Sequence, residues 1–194
     1  MGMGRLTFAE ENHEYLWDGK QVPSVTGILR AVGLSKDFGG IADFYKERGQ
    51  AVHKAIELFL KGTLDETTID PVLIPYWEGF KRYWEKHKEK PTFIETPQYC
   101  EEYGFAGTAD LVTNTRIRDW KCSKDHDRVA ELQGEGLKLL YGPPFLPFEV
   151  IQFPGDGSFK VFEYGDKIDT WPSVMKCFEW WKKTHPRTKI NGQA

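Results

Sequence analysis

Gly107-Thr108-Ala109-Asp110-Leu111-Val112-Thr113 and, past a turn at Asn114, Arg116-Ile117-Arg118-Asp119-Trp120-Lys121-Cys122 form the stretch that decides the fold. Phe105 to Thr113 and Arg116 to Cys122 read as consecutive strands. Tyr103-Gly104 marks the turn before them, and Phe93 to Cys100 is read as a third strand. Residues i and i+2 of a strand share a face, so Asp119 and Lys121 project together. The tight turn lays them beside the strand carrying Asp110. Neighbouring carboxylates repel unless a cation lies between them. Oxygen ligands of this kind suit a divalent ion, Mg²⁺ or Mn²⁺. A lysine beside that centre can orient a water or steady a phosphate oxygen, and metal, lysine and water together equip a site for phosphodiester hydrolysis. An isolated D-x-K is more often an exposed, salt-bridged strand face. The reading therefore depends on what else the chain supplies.

Two further residues fit. His53, in Arg48-Gly49-Gln50-Ala51-Val52-His53, lies on a helix beside the apolar positions Val52 and Ile56. A lone histidine there is usually a satisfied boundary residue, yet an imidazole can complete a carboxylate metal site and favours Mn²⁺-like ions. Gly49, one turn earlier, weakens a helix interior by about 1 kcal/mol, which suggests that a backbone or a phosphate approaches closely there. Gln133, early in the helix after the Asp119 strand, can hold a phosphate or a water, or be an ordinary polar helix residue.

Around these, Leu6-Thr7-Phe8 and Tyr15-Leu16-Trp17 read as strands, with Asp18-Gly19 as a type I′ hairpin turn returning through Gln21-Val22. Ser24 is a good N-cap for a helix with Val25, Ile28, Leu29 and Val32 on one face, ending at Gly33. Gly39-Gly40 marks a loop. Ile41 to Leu60 reads as a longer helix with Ile41, Phe44, Tyr45, Val52, Ile56 and Phe59 on its apolar face, closed by Gly62. Asp70-Pro71 opens a helix with an aromatic face of Tyr76, Trp77, Phe80, Tyr83 and Trp84, bounded by Pro91. Beyond the three strands come a helix from about Asp127 to Tyr141, a break at Gly142-Pro143-Pro144, and a hairpin of Phe148 to Phe153 and Ser158 to Tyr164. A last helix follows Asp169, and the tail from Thr184 is polar. The order describes one mixed α/β domain over residues 1–194: a hairpin and helical part (1–90), a core (91–185) and a tail (186–194).

Composition excludes several classes. The 194 residues carry 26 Lys+Arg against 29 Asp+Glu, a net charge of −3, which excludes a uniformly basic nucleic-acid coat protein. It does not exclude an acidic metal centre with basic tracks. Lys81 to Lys90 holds five basic residues against two acidic, and Lys176 to Lys189 five against one. Either run is also readable as a solvated face. Cys100, Cys122 and Cys177 form no C-x-x-C, so neither a zinc knuckle nor an iron–sulfur cluster is signalled, and a reducing, cytoplasmic compartment is expected. No signal-peptide pattern opens the chain. Leu6 fails the myristoylation pattern, and no apolar run approaches the roughly 20 residues of a membrane helix.

The ordered set Gly49…His53, Gly107-Thr108-Ala109-Asp110, Asp119-Trp120-Lys121 and Gln133 resembles the PD-(D/E)xK nuclease superfamily. It is most similar to the RecB-like exonuclease branch, with its phage nucleases, Cas4-like proteins and mitochondrial genome maintenance exonucleases. Val22-Pro23-Ser24-Val25-Thr26-Gly27-Ile28-Leu29 looks like the entry segment of phage members. The resemblance implies a restriction-endonuclease-like αβββαβ core with a mixed sheet and extra N-terminal helices. It implies metal binding by His53, Asp110, Asp119 and the Trp120 carbonyl, with Mg²⁺ or Mn²⁺ as cofactor. Asp110, Asp119, Lys121 and Gln133 would be catalytic, Lys121 positioning or activating the attacking water. Arg48 and Ser24 are taken as nucleic-acid contacts, and DNA as the partner. Gln133 matches the Gln of the family's Q-x-x-x-Y motif, but Leu137 stands where the Tyr belongs, and the next Tyr is Tyr141. Three cysteines without cluster spacing disfavour a cluster-bearing Cas4. The expected function is a metal-dependent DNA exonuclease acting on ends or single strands. The alternatives are a structure-specific endonuclease of the same superfamily and a non-catalytic nucleic-acid-binding module.

Overall fold

Asp18 and Gly19 both take positive φ, 49° and 75°, as a type I′ hairpin turn requires. In the computed structural model, which describes residues 4–9, 12, 14–35, 42–125 and 128–186, that turn joins β2 (Glu14–Trp17) to β3 (Lys20–Val22). β1 (Leu6–Ala9) completes an antiparallel three-stranded sheet. Ser24 then caps α1 (Val25–Ala31), its side chain accepting from the Gly27 N–H at 2.9 Å. α2 (Ala42–Leu60) follows, then a 3₁₀ turn at Pro71–Leu73 capped by Asp70, and α3 (Ile74–His87). The Asp70-Pro71 start thus opens a 3₁₀ turn before the helix proper. Gly39-Gly40, Ile41, Asp127 and the tail from residue 187 lie outside the described residues.

The three expected core strands are five. Phe93 to Cys100 divides into β4 (Pro91–Ile94) and β5 (Gln98–Cys100), and Phe105 to Thr113 into β6 (Phe105–Gly107) and β7 (Leu111–Thr113). β8 (Ile117–Lys121) is continuous. The β4–β5 break has local causes. Glu95 takes φ 44°, and Pro97 lacks the N–H a ladder needs. β5 and β6 pair with each other outside the main sheet. Gly107 is required by packing, since a Cβ there would stand 2.8 Å from Leu140 Cδ1 and 3.1 Å from Val25 Cγ2.

α4 (Val129–Tyr141) crosses from β8 to β9 (Phe148–Gln152), and β10 (Lys160–Tyr164) returns antiparallel. The main sheet has the order β10-β9-β8-β7-β4, parallel only between β8 and β9. α3, β4, β7, β8, α4 and β9 therefore reproduce the expected αβββαβ order. α5 (Trp171–Thr184) closes the chain. α1, α4 and α5 pack with Phe148 and Val150 into one apolar cluster. α2 and α3 pack with Trp120, Ile151 and Phe153 into another. Among the described residues, no helix is long and apolar enough to cross a membrane.

The aromatic face of α3 is core: Tyr76, Trp77, Phe80 and Tyr83 are buried. Conversely, Phe44 and Tyr45 continue the apolar stripe of α2 but are 59% and 55% exposed. β8 also carries ionic groups inward. Arg118, 1% exposed, donates to Glu149 at 3.1 Å and to Glu89 at 2.7 Å, and Arg116 also pairs with Glu149.

Candidate metal centre

Three strand ends meet at one rim of the sheet. β7 is antiparallel to both neighbours, so its start lies beside the end of β4 and the end of β8. Asp110 immediately precedes β7, Glu95 immediately follows β4, and Asp119 and Lys121 finish β8. Asp110 is thus placed at a strand break rather than within a strand, and its backbone carbonyl accepts from the Glu95 N–H at 3.2 Å. His53 reaches the rim from α2, its Nδ1 3.2 Å from Asp110 Oδ1 and 4.0 Å from Glu95 Oε1.

The residues divide into two adjoining groups. His53, Glu95 and Asp110 each offer a ligand atom, all within 4.8 Å of one another. Asp119, Lys121 and Gln133 form the second. Lys121 Nζ stands 2.5 Å from Asp119 Oδ2, and Gln133 Nε2 donates to Asp119 Oδ1 at 3.0 Å. Gln133 Oε1 in turn accepts from Lys121 at 3.4 Å, so one amide ties both charged groups. Trp120 joins the two groups: its backbone N–H donates to Asp110 Oδ2 at 2.5 Å, while its ring is buried in the core.

Electrostatics match a site built for added positive charge. Burial, then the facing Asp110 carboxylate, pushes Glu95 up to about 10. Burial also lifts Asp119, with Asp110 adding to it against the pull of Lys121. Asp110 is held low despite burial, because His53 and Lys121 favour its charged form. His53 and Lys121 are each raised: burial opposes their charge, and the carboxylates outweigh it. Clustered buried carboxylates are stabilised by protons or by a cation. The donors fit a hard divalent ion with one imidazole ligand, and Asp119 Oδ2, buried and in ionic contact with Lys121 but without an aligned hydrogen bond, retains capacity for a ligand bond.

Glu95 was not among the residues singled out from sequence. It lies in an ordinary Ile94-Glu95-Thr96-Pro97 run, and only the strand-breaking Pro97 hinted that a side chain is re-aimed there. Arg48 lies next to the centre: Nη2 donates to the Cys122 carbonyl at 3.4 Å, and the guanidinium sits between the Tyr45 and Tyr76 rings. Ser24 is buried, and its hydroxyl serves as the α1 cap. Tyr141 comes back to the rim. Its hydroxyl accepts from Ala109 N–H at 3.0 Å and donates to the Thr96 carbonyl at 3.3 Å.

No family model and no curated protein sequence matches the chain. Among solved structures, it is similar to LHK-Exo, an alkaline exonuclease from Laribacter hongkongensis, at 12% identity over 83% of this chain and 86% of that one, with a TM-score of 0.48. It is likewise similar to a protein assigned as an exonuclease from Eubacterium rectale, at 14% identity over 87% and 74%, TM-score 0.48. LHK-Exo in complex with dAMP gives 10% identity over 86% and 94%, TM-score 0.41. All three fall below 0.5, so the functional reading rests on the geometry of this chain.

Proposed function

We propose that this protein is a divalent-metal-dependent nuclease that hydrolyses phosphodiester bonds in DNA, working as an exonuclease on ends or single strands. The observation that carries the reading is the convergence, on one rim, of His53, Glu95 and Asp110 with the Asp119–Lys121–Gln133 group. His53, Asp110 and Asp119 would hold Mg²⁺ or Mn²⁺, with Glu95 added to the set and the Trp120 carbonyl as a further ligand. The bound ion supplies Lewis acidity and a nucleophile from water at neutral pH.

The chain's own groups do the rest. The Lys121 ammonium, fixed by Asp119 and Gln133, lies where it can donate to the attacking water or to a phosphate oxygen. Gln133 bonds to both members of the Lys121–Asp119 ion pair and so fixes how that pair is turned toward the rim. Arg48 brings positive charge beside the Lys121–Cys122 backbone, where a phosphate chain would pass. Ser24, buried with its hydroxyl capping α1, would act on the nucleic acid only by fixing the α1 entry segment. Preorganised charge of this kind acts on the charge that develops as the bond breaks.

The experiment is digestion of labelled single-stranded, duplex and closed-circular DNA with Mg²⁺ or Mn²⁺, with and without chelator. Expected is metal-dependent release from open ends and an intact closed circle. Cutting of the circle would replace the exonuclease by an endonuclease. Activity persisting in Asp119→Ala or Lys121→Ala would defeat the mechanism. Binding of DNA with no uptake of divalent metal would favour a non-catalytic module.

A further inference from the structure

Tyr45, Gly49 and His53 recur every four residues on α2, so they lie along a single ridge of that helix. At a rise of 1.5 Å per residue the ridge spans about 12 Å. One end is the metal-ligand group at His53. The other is Tyr45, 55% exposed, with Phe44 beside it at 59% and a ring-to-ring distance of 5.8 Å. Between them Gly49 is bare, since a Cβ built on it would meet no atom within 4 Å. Packing against the rest of the described protein therefore does not require a glycine here, although glycine weakens a helix interior.

The Tyr45 ring is also held in place. Arg48 lies with its guanidinium 4.9 Å from the Tyr45 ring centre and 4.7 Å from that of Tyr76, and it is anchored on the Cys122 carbonyl one residue beyond Lys121. An exposed aromatic, backed by a cation and followed by a gap leading to clustered metal ligands, has the chemistry of a single-strand track. Bases stack on an aromatic face irrespective of sequence, and a bare backbone lets the sugar–phosphate chain approach.

We propose that the Tyr45–Gly49–His53 ridge is a track for an unpaired nucleic-acid strand: a base stacks on Tyr45, with Phe44 alongside, and the strand crosses Gly49 to bring a phosphate to the His53 rim. This rests on the nuclease reading and sharpens its substrate to unpaired strand adjacent to the scissile phosphate. A stacked pair in duplex DNA does not offer a free base face at that distance from the cut.

The test is binding of 5′-fluorescein oligo-dT to the full chain by anisotropy with chelator present, beside Mn²⁺ affinity measured separately. Tyr45→Ala is expected to bind oligo-dT at least about five-fold more weakly and Tyr45→Trp to restore it, in keeping with base–aromatic stacking. Gly49→Leu is expected to raise the melting temperature, because it replaces a helical glycine facing open space, yet to weaken oligo-dT binding by about ten-fold or more with Mn²⁺ affinity unchanged. A gain in stability with a loss of binding is what a blocked track produces and a damaged fold does not. Oligo-dT binding within two-fold of wild type in both Tyr45→Ala and Gly49→Leu overturns the track and leaves the nuclease reading intact. A wild-type protein that neither binds oligo-dT nor cleaves DNA with Mn²⁺ overturns both.

Discussion

The Tyr141 hydroxyl accepts from the Ala109 N–H while donating to the Thr96 carbonyl, at 3.0 Å and 3.3 Å. Each backbone group adjoins a carboxylate of the candidate centre, Ala109 next to Asp110 and Thr96 next to Glu95. One side chain from the last turn of α4 thus fixes the spacing of two proposed ligands from separate strand ends. Outer partners of this kind orient ligands and typically alter metal affinity by about 10–100-fold when removed. Tyr141→Phe removes the hydroxyl and keeps the ring. Its expected effect is about a ten-fold loss of Mn²⁺ affinity and about 1 kcal/mol of unfolding free energy. Electron paramagnetic resonance titration of Mn²⁺, paired with denaturant unfolding, measures both. Lost stability with unchanged metal affinity would leave Tyr141 as a packing residue only.

Glu95 can be separated from the other ligands by its charge. It faces Asp110 and His53 in a half-buried cluster whose carboxylates disfavour one another. Glu95→Gln keeps the shape and removes one acidic group. In chelator near neutral pH the variant should melt at or above the wild-type temperature, because burial and Asp110 force Glu95 to take up a proton on folding and the neutral amide does not carry that cost. In Mn²⁺ its upward shift in melting temperature should shrink, because ligand-linked stabilisation scales with affinity. Paired thermal melts with and without metal give both numbers. An undiminished metal-dependent shift would place Glu95 outside the ligand set.

Much of this site could be read from residue order, and the remainder shows where order fails. Asp119 and Lys121 were legible because a strand's alternation fixes which side chains share a face, and β8 is a strand throughout. Gln133 was legible because α4 follows β8 directly. Asp110 was placed correctly beside them but on a strand that ends before it. That break follows Gly107, which packs closely on Leu140 of α4 and Val25 of α1, contacts between segments far apart in the chain. Glu95 and Tyr141 escaped for the same reason: their partners are some 15 and 32 residues away, at Asp110 and Ala109. Periodicity placed Phe44 and Tyr45 on the apolar stripe of α2. It carries no information about where the packing layer stops, and N-terminal to Val52 the stripe emerges into solvent at Phe44 and Tyr45.

The buried charges of β8 predict stability rather than activity. Arg118 and Glu149 are register partners across the parallel β8–β9 pair, both nearly sealed from water, and Arg118 also holds Glu89. Removing one member strands the other without solvent. Arg118→Met should destabilise by about 3 kcal/mol, the low end for breaking a buried pair, because Arg116 still contacts Glu149. Arg118→Met with Glu149→Leu should be less destabilised than the two single changes added together. Urea unfolding of the three variants gives this coupling, and strict additivity would show that the pair makes no net interaction.

Gln133 permits a test of charge against space at the Lys121 side. Its amide donates to Asp119 and accepts from Lys121, a pairing that only a neutral group with both functions provides. Gln133→Ala leaves a gap and frees the Lys121 ammonium and the Asp119 carboxylate, paired at 2.5 Å, to turn away from their present orientation. The expected result is about a ten-fold fall in kcat with a smaller loss of Mn²⁺ affinity, since Gln133 orients Asp119 among the proposed ligands and ties it to Lys121. Gln133→Glu is almost isosteric but sets a carboxylate against Asp119 and a second anion beside Lys121. If Gln133 only filled space, the glutamate would be the milder change. Because it acts as a neutral bridge, the glutamate should be the more damaging, both in kcat and in the extra metal needed to reach full activity. Single-turnover cleavage across a Mn²⁺ titration measures both quantities. A glutamate variant more active than the alanine variant would show that Gln133 supports the site by volume alone.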